Sequence, residues 1–291
     1  MNDRYGVDPN AAAAVDDFAK LLRHFGPEHG RFIFDFPSDW FAQVRRHLID
    51  KGVGDAKRLE LTERWLRTAK RSLLPTKARY SDALAWAKNA ENLDNPSGRI
   101  GPTGSRPPCI ALENVLIDHE ALPDCRGGHI RRTPTAYADV ARPLMQISNK
   151  VVLIDPYFRF HEERPKGSGN FRRIDRYANS LKALIQVANV ERKVAVFKLM
   201  VSRKSATLLG EAQFVEDYRA ISSDICGATG LQVEHDFLDD RLGQHARYLL
   251  GNDCGLHFDY GFDSESDKKE SSQHVEWIGR AALMPLLVRF T

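Results

Sequence analysis

The chain has 291 residues, 42% hydrophobic and 28% charged, with a formal net charge of +3 at neutral pH. That balance fits a globular protein with a sizeable core and excludes a disordered or fibrous chain. No apolar run is long enough to span a bilayer and Met1-Asn2-Asp3-Arg4-Tyr5 lacks signal-peptide character, so a cytoplasmic protein without membrane attachment is expected.

The first half is predicted to be mainly helical. An alanine run followed by Phe18, Leu21, Leu22 and Phe25 gives a helix over 11–25. Residues 31–36, apolar and aromatic between Gly30 and Pro37, read as a strand. Ser38-Asp39 can cap a helix over 40–50. Asp55 can cap another over 56–74 that stops before Pro75, and 81–92 reads as a further helix.

Within 56–74, Lys57, Arg64, Arg67 and Arg71 recur at helical spacing on one face, while Leu61, Trp65 and Leu66 are placed for burial. A cationic stripe suits a phosphate backbone, because each neutralised phosphate releases counterions. Glu60 and Glu63 soften the stripe, and the alternative is a plain solvated face. The Gly/Pro/Ser/Arg-rich stretch 95–108 is a candidate linker or surface loop. Gly127-Gly128-His129-Ile130-Arg131-Arg132-Thr133-Pro134 could hold an anion but reads as a loop leading into a helix over 137–147. The domain boundary is drawn at 135/136, separating a basic, helical region 1–135 from an α/β domain 136–291. Cys109, Cys125, Cys226 and Cys254 are scattered without metal-ligand spacing, so free thiols, no metal and no cofactor are expected.

The second half alternates. An apolar run over 150–154 ends at Asp155-Pro156, and a helix is predicted over 175–190, a strand over 193–201, a helix over 206–225 and a strand over 231–237. This order predicts an α/β sandwich with a parallel or mixed sheet. Ligands gather at strand ends in such sheets, where Asp155, His245 and the acids Asp236, Asp239 and Asp240 could converge. Each of those acids could instead cap a turn.

The next segment is His245-Ala246-Arg247-Tyr248-Leu249-Leu250-Gly251-Asn252-Asp253. Alternation puts His245, Arg247 and Leu249 on one strand face. An imidazole beside a fixed cation has the makings of a phosphodiester-attacking pair, with the cation stabilising charge on the phosphoryl oxygens. The plainer reading is a strand with two solvent-facing polar residues. Strand-like segments follow at 255–263 and 274–279, then an apolar tail over 281–290.

This order resembles one half of the phospholipase D-like (HKD) family, over residues 136–291, about half the chain. The family pattern is His-x-Lys-x4-Asp followed by a Gly-Ser-x-Asn segment. Here Arg247 stands for the lysine, Asn252 for the aspartate with Asp253 one residue late, and Asp259-Tyr260-Gly261-Phe262 for the following segment. The resemblance implies a phospholipase D-like α/β sandwich and a metal-independent phosphodiesterase or nuclease working through a phosphohistidine. His245, Arg247, Asn252, Asp253 and Asp259 would be the catalytic set, with Asp155, His257 and Glu276 contacting substrate. A single motif implies a homodimer that brings in a second histidine, with His257 as a local alternative. The arginine variant also resembles non-catalytic phospholipase D-like modules. That implies an accessory subunit binding nucleic acid or a partner protein, for example in a prokaryotic antiviral defence or DNA-processing complex. A lipid-headgroup binder is the third reading, without an amphipathic anchor or lipidation motif to support it.

Overall fold

The computed structural model describes residues 2–12, 14–51, 56–117, 122, 125–191, 193–226, 230–238, 247–264 and 271–290. The protein is α/β. It divides into two compact units, Met1–Arg126 and Gly127–Thr291. Among the described residues no helix is long and apolar enough to cross a membrane, and all four cysteines are free thiols.

The first unit contains β1 (Asp3–Val7), α1 (Val15–Leu22), β2 (Arg31–Phe34), α2 (Trp40–Lys51), α3 (Ala56–Ala69) and β3 (Leu73–Leu74). It continues through α4 (Trp86–Asn89), β4 (Gly98–Gly101), β5 (Ile110–Ala111) and α5 (Leu112–Ile117). Helices hold more of its residues than strands do, yet the frame is a five-stranded parallel sheet in the order β3-β2-β1-β4-β5. Only β2 was foreseen, because the other strands are short and lack a readable period. Trp40 locks the layers together: it is fully buried, and its Nε1 donates to the Val7 carbonyl at 2.6 Å.

The supposed linker 95–108 contains β4, which pairs directly with β1. Its glycines serve packing rather than looseness, since a Cβ on Gly98 would lie 2.9 Å from the Tyr5 ring and one on Gly101 2.4 Å from Ser105 Oγ. The helix expected over 56–74 ends at Ala69, where Lys70–Ser72 turn to deliver β3 into the sheet. Arg71 therefore stands beyond the helix, and the four-residue cationic stripe does not form on one element. Arg64 and Arg67 remain exposed on α3 above fully buried Leu66, while the Lys57 side chain lies outside the described residues.

The second unit runs β6 (Gly127–Arg131), α6 (Pro134–Ile147), β7 (Lys150–Ile154), β8 (His161–Glu163), β9 (Phe171–Arg173), α7 (Asp175–Glu191) and β10 (Val196–Ser202). It continues through α8 (Arg203–Ala206), α9 (Glu211–Cys226), β11 (Gln232–Leu238), β12 (Arg247–Leu250), β13 (Gly255–Phe258), β14 (Ser272–Ile278) and α10 (Arg280–Phe290). Seven strands form one mixed sheet, β11-β10-β7-β12-β13-β14-β6, and β8-β9 form a separate hairpin. β7, β10 and β11 are parallel; from β12 onward the pairing is antiparallel.

The boundary at Arg126/Gly127 precedes the one drawn at 135/136. Residues 127–131, read as a loop, form the edge strand β6 against β14. Two glycines and no apolar run hide it in the sequence, but an edge strand needs only backbone pairing. The following helix starts as its residues dictate: Thr133 Oγ1 accepts from the Ala136 amide at 3.2 Å, and Pro134 occupies the first turn.

Strand alternation sorts the sheet into two faces. Leu249, Leu256, Phe258, Val275 and Trp277 share one face, reached by Tyr137 of α6, whose ring lies 6.1 Å from that of Phe258. Val152, Ile154, Met200 and Leu250 pack on the other against Leu283 and Phe290 of α10. The result is a helix–sheet–helix sandwich.

Candidate functional site

β7 ends in a buried carboxylate. Asp155 is fully buried, one residue beyond the strand, where its Oδ1 accepts from the Tyr157 amide at 2.9 Å and its Oδ2 from the Phe262 amide at 3.1 Å. The antiparallel register of β7 with β12 pairs Ile154 with Tyr248, so the next step sets Arg247 across from Asp155. Arg247 Nε lies 3.9 Å from Asp155 Oδ1, its Nη1 donates to the Asp259 carbonyl at 2.8 Å, and its Cζ sits 4.8 Å from the centroid of the Tyr157 ring. Nε is buried with no hydrogen-bond partner among the described residues. A carboxylate, a carbonyl and an aromatic face thus hold one guanidinium in place.

The chain from Asp259 to Ser264 wraps this pair. Gly261 has φ +90°, and a Cβ there would lie 2.8 Å from Asp155 Oδ2 and 2.9 Å from Arg247 Nε. Only glycine allows both the conformation and the approach. Buried Gln273 braces the turn: its Oε1 accepts from the Tyr260 amide at 3.0 Å, and its Nε2 donates to the Gly261 carbonyl and the Tyr137 hydroxyl, both at 2.9 Å. Tyr137 donates to the Asp263 carbonyl at 3.1 Å, and Arg132 pairs with the Asp263 carboxylate.

Burial pushes the Asp155 carboxyl up to about 6, against the downward pull of its two backbone donors and Arg247. A folded value above the ordinary 3.8 means that the folded chain holds this proton more tightly than the unfolded one. The contribution to stability is then full below about pH 4 and is lost as pH rises through about 6. Unfolding free energy measured by denaturant titration across pH 4–7 should carry a falling component that Asp155→Asn lacks. An unchanged slope in that variant would rule the assignment out.

The other candidates are dispersed. His245, Asp239 and Asp240 lie outside the described residues. Asn252 stands at the opposite edge of the sheet, its Oδ1 accepting from the Asn149 and Lys150 amides at 2.8 and 3.3 Å, so it caps the start of β7. Asp253 pairs with Arg280 at 2.9 Å. Asp259 brings its carbonyl, not its carboxylate, to Arg247.

His257 does not share the Arg247 face. It pairs in register with Tyr248 and Glu276, and alternation sends all three to the opposite side of the sheet. The His257 ring lies 5.2 Å from that of Tyr248. Period 2 makes this unavoidable, because Arg247 pairs with Phe258, one residue away. Asp236 is two strands from β7 and is engaged by Lys198 at 3.0 Å. Among the described residues no three of His, Cys, Asp and Glu gather as a metal ligand set.

Sequence reasoning missed the supporting residues Tyr157, Gly261, Gln273 and Tyr137. It also missed the carboxyl edge of the first sheet, where the strand order reverses between β1 and β4, the usual place for a crevice. There burial raises the Asp8 carboxyl, and burial with nearby Asp39 raises Asp35 to about 6. The parallel topology is what marks these acids, and it was not legible.

No protein-family model and no curated protein matches the chain. Among solved structures, it is similar to TrmBL2, described as an archaeal chromatin protein with a novel mode of DNA binding. The TM-score is 0.27 at 15% identity over 61% of this chain and 54% of that one. It is also similar to Nuc, a phospholipase D family member from Salmonella typhimurium. Here the TM-score is 0.32 at 10% identity over 56% of this chain and 89% of that one. The chain thus spans about half the length of TrmBL2.

Proposed function

We propose that the second unit is a phospholipase D-like module that engages the phosphodiester backbone of nucleic acid. The observation that carries this reading is the Arg247 guanidinium, held in place by Asp155, the Asp259 carbonyl and the Tyr157 ring on a side chain that is still 19% exposed, two residues from His245. Such a cation suits a phosphate oxygen, and arginine presents donors in a fork that matches it.

The chemical form of the proposal is a metal-independent phosphodiesterase. His245 would attack phosphorus and displace the leaving oxygen, which a second histidine protonates, while Arg247 neutralises charge on the non-bridging oxygens. Water, deprotonated by that second histidine, would then cleave the phosphorus–nitrogen bond and regenerate His245. On β12–β14 no described histidine shares the Arg247 face, since His257 and His274 lie on the other. A homodimer would supply the second histidine. The same observation favours a second reading, a binding module without chemistry that serves as an accessory subunit.

Cleavage of labelled single- and double-stranded DNA and RNA in excess EDTA, by wild type and His245→Ala of equal oligomeric mass, separates the two. Cleavage by wild type, lost in the variant by at least about a thousandfold, is the outcome expected of a nucleophile. Binding by both without cleavage by either would leave the accessory module. Neither binding nor cleavage would overturn the nucleic-acid reading altogether.

A further inference from the structure

Between Asp155 and α7 the chain leaves the sheet to form the β8-β9 hairpin, and residues 157–176 carry Arg159, Arg164, Lys166, Arg172, Arg173 and Arg176 against Glu162, Glu163 and Asp175. The segment therefore carries a local excess of three positive charges.

Its arrangement is built around one acid. Glu162, only 7% exposed, takes Arg172 at 2.8 Å, Arg164 at 2.6 Å and Arg176 at 3.5 Å. One carboxylate cannot neutralise three guanidiniums, and these stay 56%, 57% and 37% exposed for Arg164, Arg172 and Arg176. The other face of the hairpin is stapled to α9, where Asp217 takes Arg173 at 2.9 Å and His161 at 3.6 Å. Arg159 Nε and Arg176 Nε are buried without hydrogen-bond partners among the described residues. Gly167 and Gly169, both at positive φ with open space around them, make the turn at the tip beside exposed Lys166.

Both roots of this arm meet the candidate site. Tyr157 lies under Arg247, and the Arg176 carbonyl accepts from Ser264 Oγ at 2.8 Å and the Ser264 amide at 3.2 Å. We propose that the Glu162-centred arginine face of the β8-β9 hairpin binds the nucleic-acid backbone and leads it to Arg247, an inference that rests on the nucleic-acid reading above. Clustered, outward, under-neutralised arginines fit successive phosphates, and each contact releases counterions.

The test uses the full chain and fluorescein-labelled 20-mer duplex and single-stranded DNA, with anisotropy read across a salt series. Arg164→Ala/Arg172→Ala should weaken binding at least tenfold at low salt and reduce the slope of log affinity against log salt by about 1.5–2 for duplex. Lys166→Glu, at an exposed tip position that no packing depends on, should weaken binding in the same direction and keeps the test valid if the double variant misfolds. Wild type that binds with a steep salt slope, alongside folded variants of unchanged affinity and slope, would overturn the hairpin assignment while sparing the nucleic-acid reading. Wild type that binds neither DNA would overturn both.

Discussion

Replacing Asp155 by alanine should destabilise the second unit by about 3–5 kcal/mol, the range for removing one partner of a buried ion pair. The carboxylate faces Arg247 and satisfies the Tyr157 and Phe262 amides, so its loss leaves the guanidinium without its counter-charge and one part-buried and one buried donor without their acceptor. Asp155→Asn keeps one acceptor oxygen and should cost less, about 1–3 kcal/mol, because the amide cannot accept at both positions. Urea titration with amide hydrogen exchange on β7 and β12 reads the effect where it arises. An alanine variant within about 1 kcal/mol of wild type would mean the site is not organised around this carboxylate.

Gly261→Ala should be nearly as damaging, at about 2–4 kcal/mol, by two separable mechanisms. Positive φ costs an L-residue about 1–2 kcal/mol. The added methyl also meets Asp155 Oδ2 and the Arg247 side chain at 2.8–2.9 Å, contacts too close to keep. Gly167→Ala supplies the control, since that glycine has φ +83° with nothing within 4 Å and should show the backbone cost alone. Thermal denaturation should place Gly261→Ala about 5–15 °C below wild type and clearly below Gly167→Ala. Equal losses in the two variants would show that the close approach to Asp155 and Arg247 is not what the glycine serves.

Long elements with a clear period were legible without coordinates. The helix read over 175–190 forms as Asp175–Glu191, the strand read over 231–237 as Gln232–Leu238, and the apolar run ending at Asp155 as β7. Their side-chain patterns repeat enough times to declare period and face. The parallel sheet of the first unit escaped because β3 and β5 have two residues each and β4 reads Gly-Arg-Ile-Gly, so its stability lies in neighbours far along the chain. The edge strand β6 escaped for the same reason.

For the site, the sequence alone determined that Arg247 sits on a strand and that Asp155 closes one. Local pattern is enough for this, because strand alternation and turn residues act over a few positions. Tertiary structure decided the rest. The register of β12 against β7 brings Arg247 to Asp155, and the pairing of Tyr248 with His257 turns that histidine away to the opposite face. Asp155 and Phe262, 107 positions apart in the chain, are joined by a carboxylate–amide bond that no local signal records. Register and long-range closure arise when distant strands find the one alignment that buries their apolar faces, so they belong to the folded chain rather than to any segment of it.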